Sequence, residues 1–152
     1  MSLHLVKRLA TFKVKSDMIM TNTEEAVDVI MTKTIITVKP DDTCLKVQEI
    51  FGENSIHHIL VVHNSEVLGI ISNNDMLKMY AEFYAQRDHE TLASITANDI
   101  MTDNPLTINL DDSIGLAADI ILANKLHALP VMDGDELVGI ITNHDILKYC
   151  FK

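Results

Sequence analysis

The sequence predicts an α/β (α+β) fold in which two β-α-β-β-α units pack together as a pseudo-two-fold pair. Three observations lead to this prediction: an internal repeat, the same order of helix and strand patterns in each copy, and an aliphatic composition. Hydrophobic residues make up 47% of the 152 residues, aromatic residues only 5%, and tryptophan is absent. This is enough apolar material for a core built from aliphatic side chains.

An internal repeat organises the chain. Residues 26–80 align with residues 96–150 at an offset of 70 without a gap, and 18 of the 55 aligned pairs are identical. The clearest stretch reads VVHNSEVLGIISNNDMLK in the first copy and VMDGDELVGIITNHDILK in the second. A unit this short buries too little surface alone, so the copies are expected to pack on each other. The predicted organisation is an N-terminal arm or tail over residues 1–23, a first repeat over 24–80, a linker over 81–95 and a second repeat over 96–152.

Each copy shows the same series of elements. A short helix ends near an Ile-Met-Thr motif, a short strand follows, and an Asp-Thr or Asp-Ser pair then suits a helix N-cap. The helix that follows carries apolar residues at the 3.6-residue period in the second copy. Two strands joined by a short turn, and a final helix, complete the unit. The predicted strands are 36–38, 59–62 and 67–72 in the first copy and 106–108, 129–132 and 137–142 in the second.

Charge and cysteine content exclude several classes of protein. The formal net charge is −10, and so acidic a surface repels a phosphate backbone, so no nucleic-acid partner is expected. No apolar run approaches the roughly 18–20 residues that span a bilayer, and no signal-peptide pattern is present, so no membrane partner is expected. Cys44 and Cys150 lie far apart without metal-type spacing, as in a reduced intracellular protein. The expected location is cytoplasmic.

Three motifs recur in the same order in both copies. Ile-Met-Thr is followed by a strand that begins His-x-x-x-Val and then by Gly-x-x-(Ser/Thr)-x-x-Asp. This series resembles the CBS (cystathionine-β-synthase-like) repeat over about residues 26–150, and the chain resembles a stand-alone tandem CBS pair, or Bateman module. The family usually has proline before the valine, which the second copy keeps as Pro130 and the first replaces with Leu60. The resemblance implies two clefts for adenosine-type ligands and a homodimer.

The Gly-x-x-(Ser/Thr)-x-x-Asp motifs supply the candidate polar groups, Ser72 with Asp75 and Thr142 with Asp145. A helix that begins at the hydroxyl residue offers free N–H groups and a partial positive charge to a phosphate. In the family, the aspartate accepts both hydroxyls of a ribose. The alternative is a capping box, in which the same residues only close the helix end.

The resemblance also implies that each adenine pocket is composite, with the hydroxyl and carboxylate from one copy and apolar contacts from the other. The predicted first pocket combines Ile36, Ile56 and His57 with Thr142 and Asp145, and the second combines Leu106, Leu126 and His127 with Ser72 and Asp75. The alternative for the aliphatic residues is ordinary core. His144 follows Asn143 at the predicted helix start, where it could contact a phosphate or remain a solvent-exposed side chain.

The predicted function is regulatory sensing of an adenosyl ligand (AMP, ADP, ATP or S-adenosylmethionine), with a conformational or dimer change that signals to an effector protein. Few basic residues flank the motifs, so AMP is favoured over ATP, ADP or S-adenosylmethionine. No cofactor is required and no metal is expected, and no catalytic motif is found, so the chain is not expected to be an enzyme. The alternatives are a protein-interaction or dimerisation module with unoccupied clefts, and metal or redox sensing through His and Cys residues.

Overall fold

The structure, a computed structural model, describes residues 23–86 and 92–151. The segment interpreted as an N-terminal arm or tail lies outside the described residues, apart from Thr23. The polar part of the linker also lies outside them. In the described ranges the chain forms two small sheets and five helices.

Both copies follow the predicted order of elements. The first copy contains a 3-10 turn at Val27–Val29, β1 at Thr37–Val38, α1 at Cys44–Glu53, β2 at His58–His63, β3 at Glu66–Ser72 and α2 at Asn73–Gln86. The second contains α3 at Ala97–Ile100, β4 at Thr102–Asp103, β5 at Ile108–Asn109, α4 at Ile114–Asn124, β6 at Ala128–Asp133, β7 at Glu136–Thr142 and α5 at Asn143–Cys150. The predicted α+β fold is confirmed. The sequence did not predict β4. Helix α2 continues into the linker range, whose first residues are expected from the sequence to prolong the helix.

The central helices begin at the predicted caps. Thr43 Oγ1 accepts a hydrogen bond from the Lys46 amide at 3.3 Å, and Ser113 Oγ accepts one from the Leu116 amide at 3.1 Å. Each hydroxyl satisfies an amide that has no partner within its helix.

Both hairpins close through two-residue turns that need left-handed backbone. Asn64 and Ser65 have φ angles of 48° and 68°, and Gly134 has a φ of 57°. Positive φ at the central residues matches the right-handed twist of the flanking strands. The Asp-Gly signal thus marks the turn of the second hairpin correctly, whereas the first hairpin uses residues with side chains.

The two sheets exchange strands between the copies. One sheet has the order β1-β2-β3-β4 and the other β5-β6-β7. Strand β4, from the second copy, pairs antiparallel with β3 of the first, so that Thr102 lies opposite Ile70. The equivalent Thr32 of the first copy forms an isolated bridge to Ile140 of the second, with N···O distances of 2.9 and 3.0 Å. The start of each copy therefore extends the hairpin of the other.

The segments just before these strands are exchanged as well. The first amide of α1, at Cys44, donates to the Ile95 carbonyl at 2.8 Å, and the first amide of α4, at Ile114, donates to the Glu25 carbonyl at 2.8 Å. We call residues 23–32 and 95–103 the exchange segments. Their contact residues Glu25 and Ile95 are related by the same 70-residue offset as the sequence repeat.

The hydrophobic core has three parts, and two contain a residue from an exchange segment. The first copy's core includes the fully buried Ala97, and the second copy's core includes the fully buried Val27. A third cluster joins the copies through Leu60, Ala128 and Ile140. Because each copy completes the core of the other, burial of apolar surface stabilises the pair and not the separate units.

The glycine of each Gly-x-x-(Ser/Thr)-x-x-Asp motif lies beneath a methionine from the opposite exchange segment. A Cβ atom added at Gly69 would lie 2.9 Å from the Met101 Cβ, and one added at Gly139 would lie 3.2 Å from the Thr32 carbonyl oxygen and 2.5 Å from the Met31 Sδ. The close approach of the Ile-Met-Thr motif thus explains why glycine occurs at both positions.

Candidate ligand cavity between the repeats

A cavity of about 550 Å³ lies between the two copies. Its walls come from the segment before β1, the start of β2, strand β7 and the first residues of α2 and α5. The volume falls within the range of small-molecule sites, which is roughly 300–1,000 Å³.

Most of the residues predicted to bind a ligand line this cavity. They are Ile36, Ile56, His57, Ser72, His127, Thr142, His144 and Asp145. The structure thus brings together every member of the first predicted pocket, from both copies. The two copies approach each other at the third hydrophobic cluster, where Leu60 of the first copy packs with Ala128 and Ile140 of the second.

Three residues predicted for the second pocket do not line this cavity. Asp75 lines a separate groove with residues of α2 and α3. Leu106 is 50% exposed, and Leu126 packs partly buried against the second copy's core. Of that second set, His127 and Ser72 contribute to the cavity described above.

Sequence reasoning missed several lining residues, among them His58, Asn73 and Asn74. Strand β2 begins at His58, so the alternation of side chains along the strand does not extend to His57, and both histidines line the cavity. The signal available in the sequence was Asn73, which recurs as Asn143 in the second copy.

Thr142 and Asp145 form a capping box at the start of α5. Thr142 Oγ1 accepts from the Asp145 amide at 3.2 Å, while Asp145 Oδ2 accepts from the Thr142 amide at 2.8 Å and from its hydroxyl at 2.7 Å. The capping interpretation is therefore confirmed for these hydrogen bonds. In the described part of the chain, Asp145 Oδ1 accepts no hydrogen bond, so one carboxylate oxygen is left for a further partner.

Ser72 and Asp75 form the same arrangement at the start of α2. Asp75 Oδ2 accepts from the Ser72 amide at 2.8 Å and from its hydroxyl at 2.6 Å. Here, however, the second oxygen, Oδ1, lies 3.9 Å from Lys78 Nζ. The two caps are equivalent in backbone and differ in what surrounds the second carboxylate oxygen.

Paired contacts fix the start of each helix to the start of a strand. The Asn73 amide donates to the His57 carbonyl at 3.2 Å, and the Asn143 amide donates to the His127 carbonyl at 3.0 Å. The side-chain amides of the two asparagines lie 3.1 and 3.4 Å from Nδ1 of the same histidines. These contacts orient two imidazole rings at the cavity wall.

The cavity has an aliphatic wall and a polar end that carries histidines but no lysine or arginine. Ile35, Ile36, Ile56, Leu60 and Ile140 supply the aliphatic part. Among the described lining residues there is no lysine or arginine, and Asp145 is the only carboxylate.

His58 is the partly buried histidine of the cavity. Burial lowers the pKa of His58 below its ordinary value, and the neighbouring charges of His127 and His57 lower it further, while Asp75 acts in the opposite direction. The neutral imidazole is therefore favoured in the empty cavity.

The described ranges contain neither a metal-binding cluster nor a membrane-spanning helix. Across residues 23–86 and 92–151, no group of three or more His, Cys, Asp or Glu side chains is arranged to hold a metal ion. Over the same residues, no helix combines the length and apolar character needed to cross a bilayer. Cys44 and Cys150 are both free.

The chain is similar to several known proteins. It is 28% identical over 131 residues to the uncharacterized protein MJ1225 of Methanocaldococcus jannaschii, which matches 82% of this chain. The chain spans only 47% of that relative's length.

Two solved structures with similar folds contain bound ligands. CBSX2 in complex with AMP is 25% identical, with a TM-score of 0.71 over 82% of this chain and 95% of that one. The CBS domain pair of protein MJ0100, in complex with 5′-methylthioadenosine and S-adenosyl-L-methionine, is also 25% identical, with a TM-score of 0.71 over 82% and 94% of the two chains.

The model of one family matches both copies. The CBS domain model matches residues 26–82 and 97–152, which include the three recurring motifs and every residue of the exchanged strands. The chain belongs to the CBS domain family and is a pair of CBS repeats.

Proposed function

We propose that this CBS pair is a cytoplasmic regulatory module that senses an adenosyl ligand in the cavity between its repeats and catalyses no reaction itself. The carrying observation is that Ile36, Ile56 and His57 of one copy line the same cavity as Thr142 and Asp145 of the other. A ligand that contacts both copies would bias how they pack, and this change would be transmitted to an effector protein.

The chemistry of the walls supports an adenosine group. An adenine ring needs apolar contact on its faces, and the aliphatic wall can supply it. A ribose presents two adjacent hydroxyls, which the unoccupied Oδ1 of Asp145 can accept. Nucleosides with these groups are bound in the similar structures of CBSX2 and the MJ0100 pair.

AMP is the favoured member of the class. A single phosphate could lie at the start of α5, where the helix dipole favours an anion. Longer phosphate chains call for lysine or arginine, and the described cavity wall has neither. S-adenosylmethionine, ADP and ATP are the competing ligands in the test.

The test is a thermal-shift panel with AMP, ADP, ATP, S-adenosylmethionine, 5′-methylthioadenosine and zinc on the wild type, Asp145→Ala and Asp75→Ala. The two variants are matched, because each removes the carboxylate of an equivalent capping box. Each should therefore lower the free energy of unfolding by about 0.5–2 kcal/mol. Only Asp145 lines the cavity. A ligand at 100 times its dissociation constant should add about 2.7 kcal/mol of apparent stability to the wild type and to Asp75→Ala. Asp145→Ala should show little or no shift.

Other outcomes would contradict the proposal. A thermal shift that persists in Asp145→Ala would mean that the carboxylate only caps the helix and does not bind the ligand. No shift with any adenosyl compound would favour the interaction module, and a response to zinc alone would favour the metal sensor.

We also propose that the chain forms a homodimer through the outer faces of α2 and α5. Leu77 on α2 is 65% exposed and the equivalent Leu147 on α5 is 54% exposed. Large apolar side chains at equivalent places on both copies suit a symmetric contact. Leu77→Glu with Leu147→Glu should convert the dimer to a monomer in size-exclusion chromatography with light scattering. Leu122→Glu on α4 is the exposed control, and a monomeric wild type would refute the dimer.

A further inference from the structure

Four histidines surround the cavity between the repeats. His57 and His58 come from the first copy, and His127 and His144 from the second. The described residues include one more histidine, His63, which lies at the far end of β2 and does not line the cavity. Histidines are thus concentrated at a cavity whose described wall has no other group able to carry positive charge.

Three of the four imidazoles interact electrostatically. His58 interacts with the charge of His57 in its own copy and with the charge of His127 in the other copy. His144 is the second residue of α5 and precedes Asp145 directly. The carboxylates that face this group are Asp145 in the cavity wall and Asp75, whose charge acts on His58.

An anionic ligand creates an electrostatic problem in this cavity. With the imidazoles neutral, Asp145 is the only charged group among the described lining residues, so a phosphate would enter a wall of its own sign. Histidine is the side chain that gains a positive charge near neutral pH. An anion beside an imidazole favours the charged form of that imidazole. Proton uptake would then offset the charge of the phosphate.

We infer that the histidine cluster makes this a proton-linked site for a nucleoside monophosphate, in which binding of the phosphate is accompanied by protonation of the cluster. This assignment rests on the proposed function. His58, at the start of β2, and His144, beside Asp145 at the start of α5, set the selectivity. Affinity for AMP therefore rises as the pH falls toward neutrality, while a ligand without phosphate gains nothing. A sulfonium ligand such as S-adenosylmethionine is disfavoured by the same protonation.

The repeat supplies conservative variants. His58→Ala introduces the residue found at the equivalent Ala128, and His144→Asn introduces the residue found at Asn74. Each substitution therefore reproduces a side chain that the other copy already holds in the same place. His63→Ala is the control, because His63 is exposed and lies outside the cavity wall.

The experiment is isothermal titration of AMP and adenosine at about pH 6.5 and pH 8.0, in buffers of different ionisation enthalpy. One linked proton makes AMP bind about tenfold more tightly at the lower pH and gives an uptake of between about 0.5 and 1 proton per AMP near pH 7. Adenosine should show neither effect. His58→Ala and His144→Asn should each reduce the proton uptake, and His63→Ala should leave it unchanged.

Three results separate the inference from the proposed function. Binding of AMP with equal affinity at both pH values and without proton uptake would overturn the inference and leave the adenosyl sensor intact. Proton uptake that persists when His58→Ala and His144→Asn are combined would show that other groups take the proton. That result would also overturn the inference. If neither AMP nor adenosine binds, the proposed function and the inference both fail.

Discussion

Single residues differ between the copies at the two hairpin turns. Ser65 has a φ of 68° and Gly134 a φ of 57°, a region that side chains other than glycine disfavour by about 1–2 kcal/mol. Ser65→Gly should therefore stabilise the protein by up to about 1 kcal/mol, and Gly134→Ala should destabilise it by about 1 kcal/mol. Urea unfolding measures both. Equal effects of the same sign would contradict the turn geometry.

The pKa of His58 predicts a pH dependence of stability. Burial and the neighbouring histidines lower this pKa below the ordinary value of 6.5. His58 therefore binds a proton more tightly in the unfolded chain than in the folded chain. Stability from His58 is thus complete above about pH 6.5 and is lost as the pH falls below that value. His58→Ala should reduce the loss of unfolding free energy between about pH 7.5 and pH 5.5. His63→Ala, as the control, should follow the wild type; a His58→Ala curve parallel to the wild type would contradict the assignment.

At the scale of elements, the packing of Met101 on Gly69 predicts which glycines tolerate a methyl group. Gly69→Ala would place its Cβ 2.9 Å from the Met101 Cβ and should destabilise the protein by about 1–3 kcal/mol. Gly52→Ala is the matched control, because its added Cβ meets nothing within 4 Å and helix α1 should gain about 0.5–1 kcal/mol.

A double-mutant cycle identifies the contact. In the background of Met101→Ala, the added Gly69→Ala should cost less than it does alone, because Met101 Sδ and Cγ, the two atoms nearest to the added Cβ, are gone. Additive losses would mean that the glycine is needed for another reason.

The elements themselves were largely predictable from the sequence. The caps at Thr43 and Ser113 and the hairpins carry local signals that fix where helices and strands begin. Strand β4 carries none, because Thr102 and Asp103 are two polar residues whose partner strand is Gly69–Ile70. Its pairing is decided by tertiary packing, which a local pattern does not contain.

At the scale of the whole molecule, the exchange segments predict that neither copy folds alone. A fragment of residues 1–91 lacks Ala97 and β4, and a fragment of residues 92–152 lacks Val27 and the Thr32 bridge. Each fragment should be largely unfolded by circular dichroism, and an equimolar mixture should regain the helical signal. A sharp cooperative unfolding transition in either isolated fragment would contradict this expectation.

The candidate site was predictable only in part. The repeat and its family resemblance located Ile36, His57, Thr142 and Asp145, which the structure brings to one cavity. The residues of the predicted second pocket do not all line this cavity, since the two copies do not have equivalent side chains at every position around it. His58 has Ala128 as its counterpart, and such differences decide the electrostatics of the site without changing the fold.

The bridge between Thr32 and Ile140 joins positions 108 residues apart. A ribosome that adds roughly 5–20 residues each second needs about 5–20 s to cover that distance. Throughout that time Val27 and Met31 remain unburied, because the hairpin on which they pack has not yet been synthesised. During synthesis the first exchange segment can therefore bind a chaperone or the folded hairpin of a second chain. Binding to a second chain would produce a domain-swapped dimer.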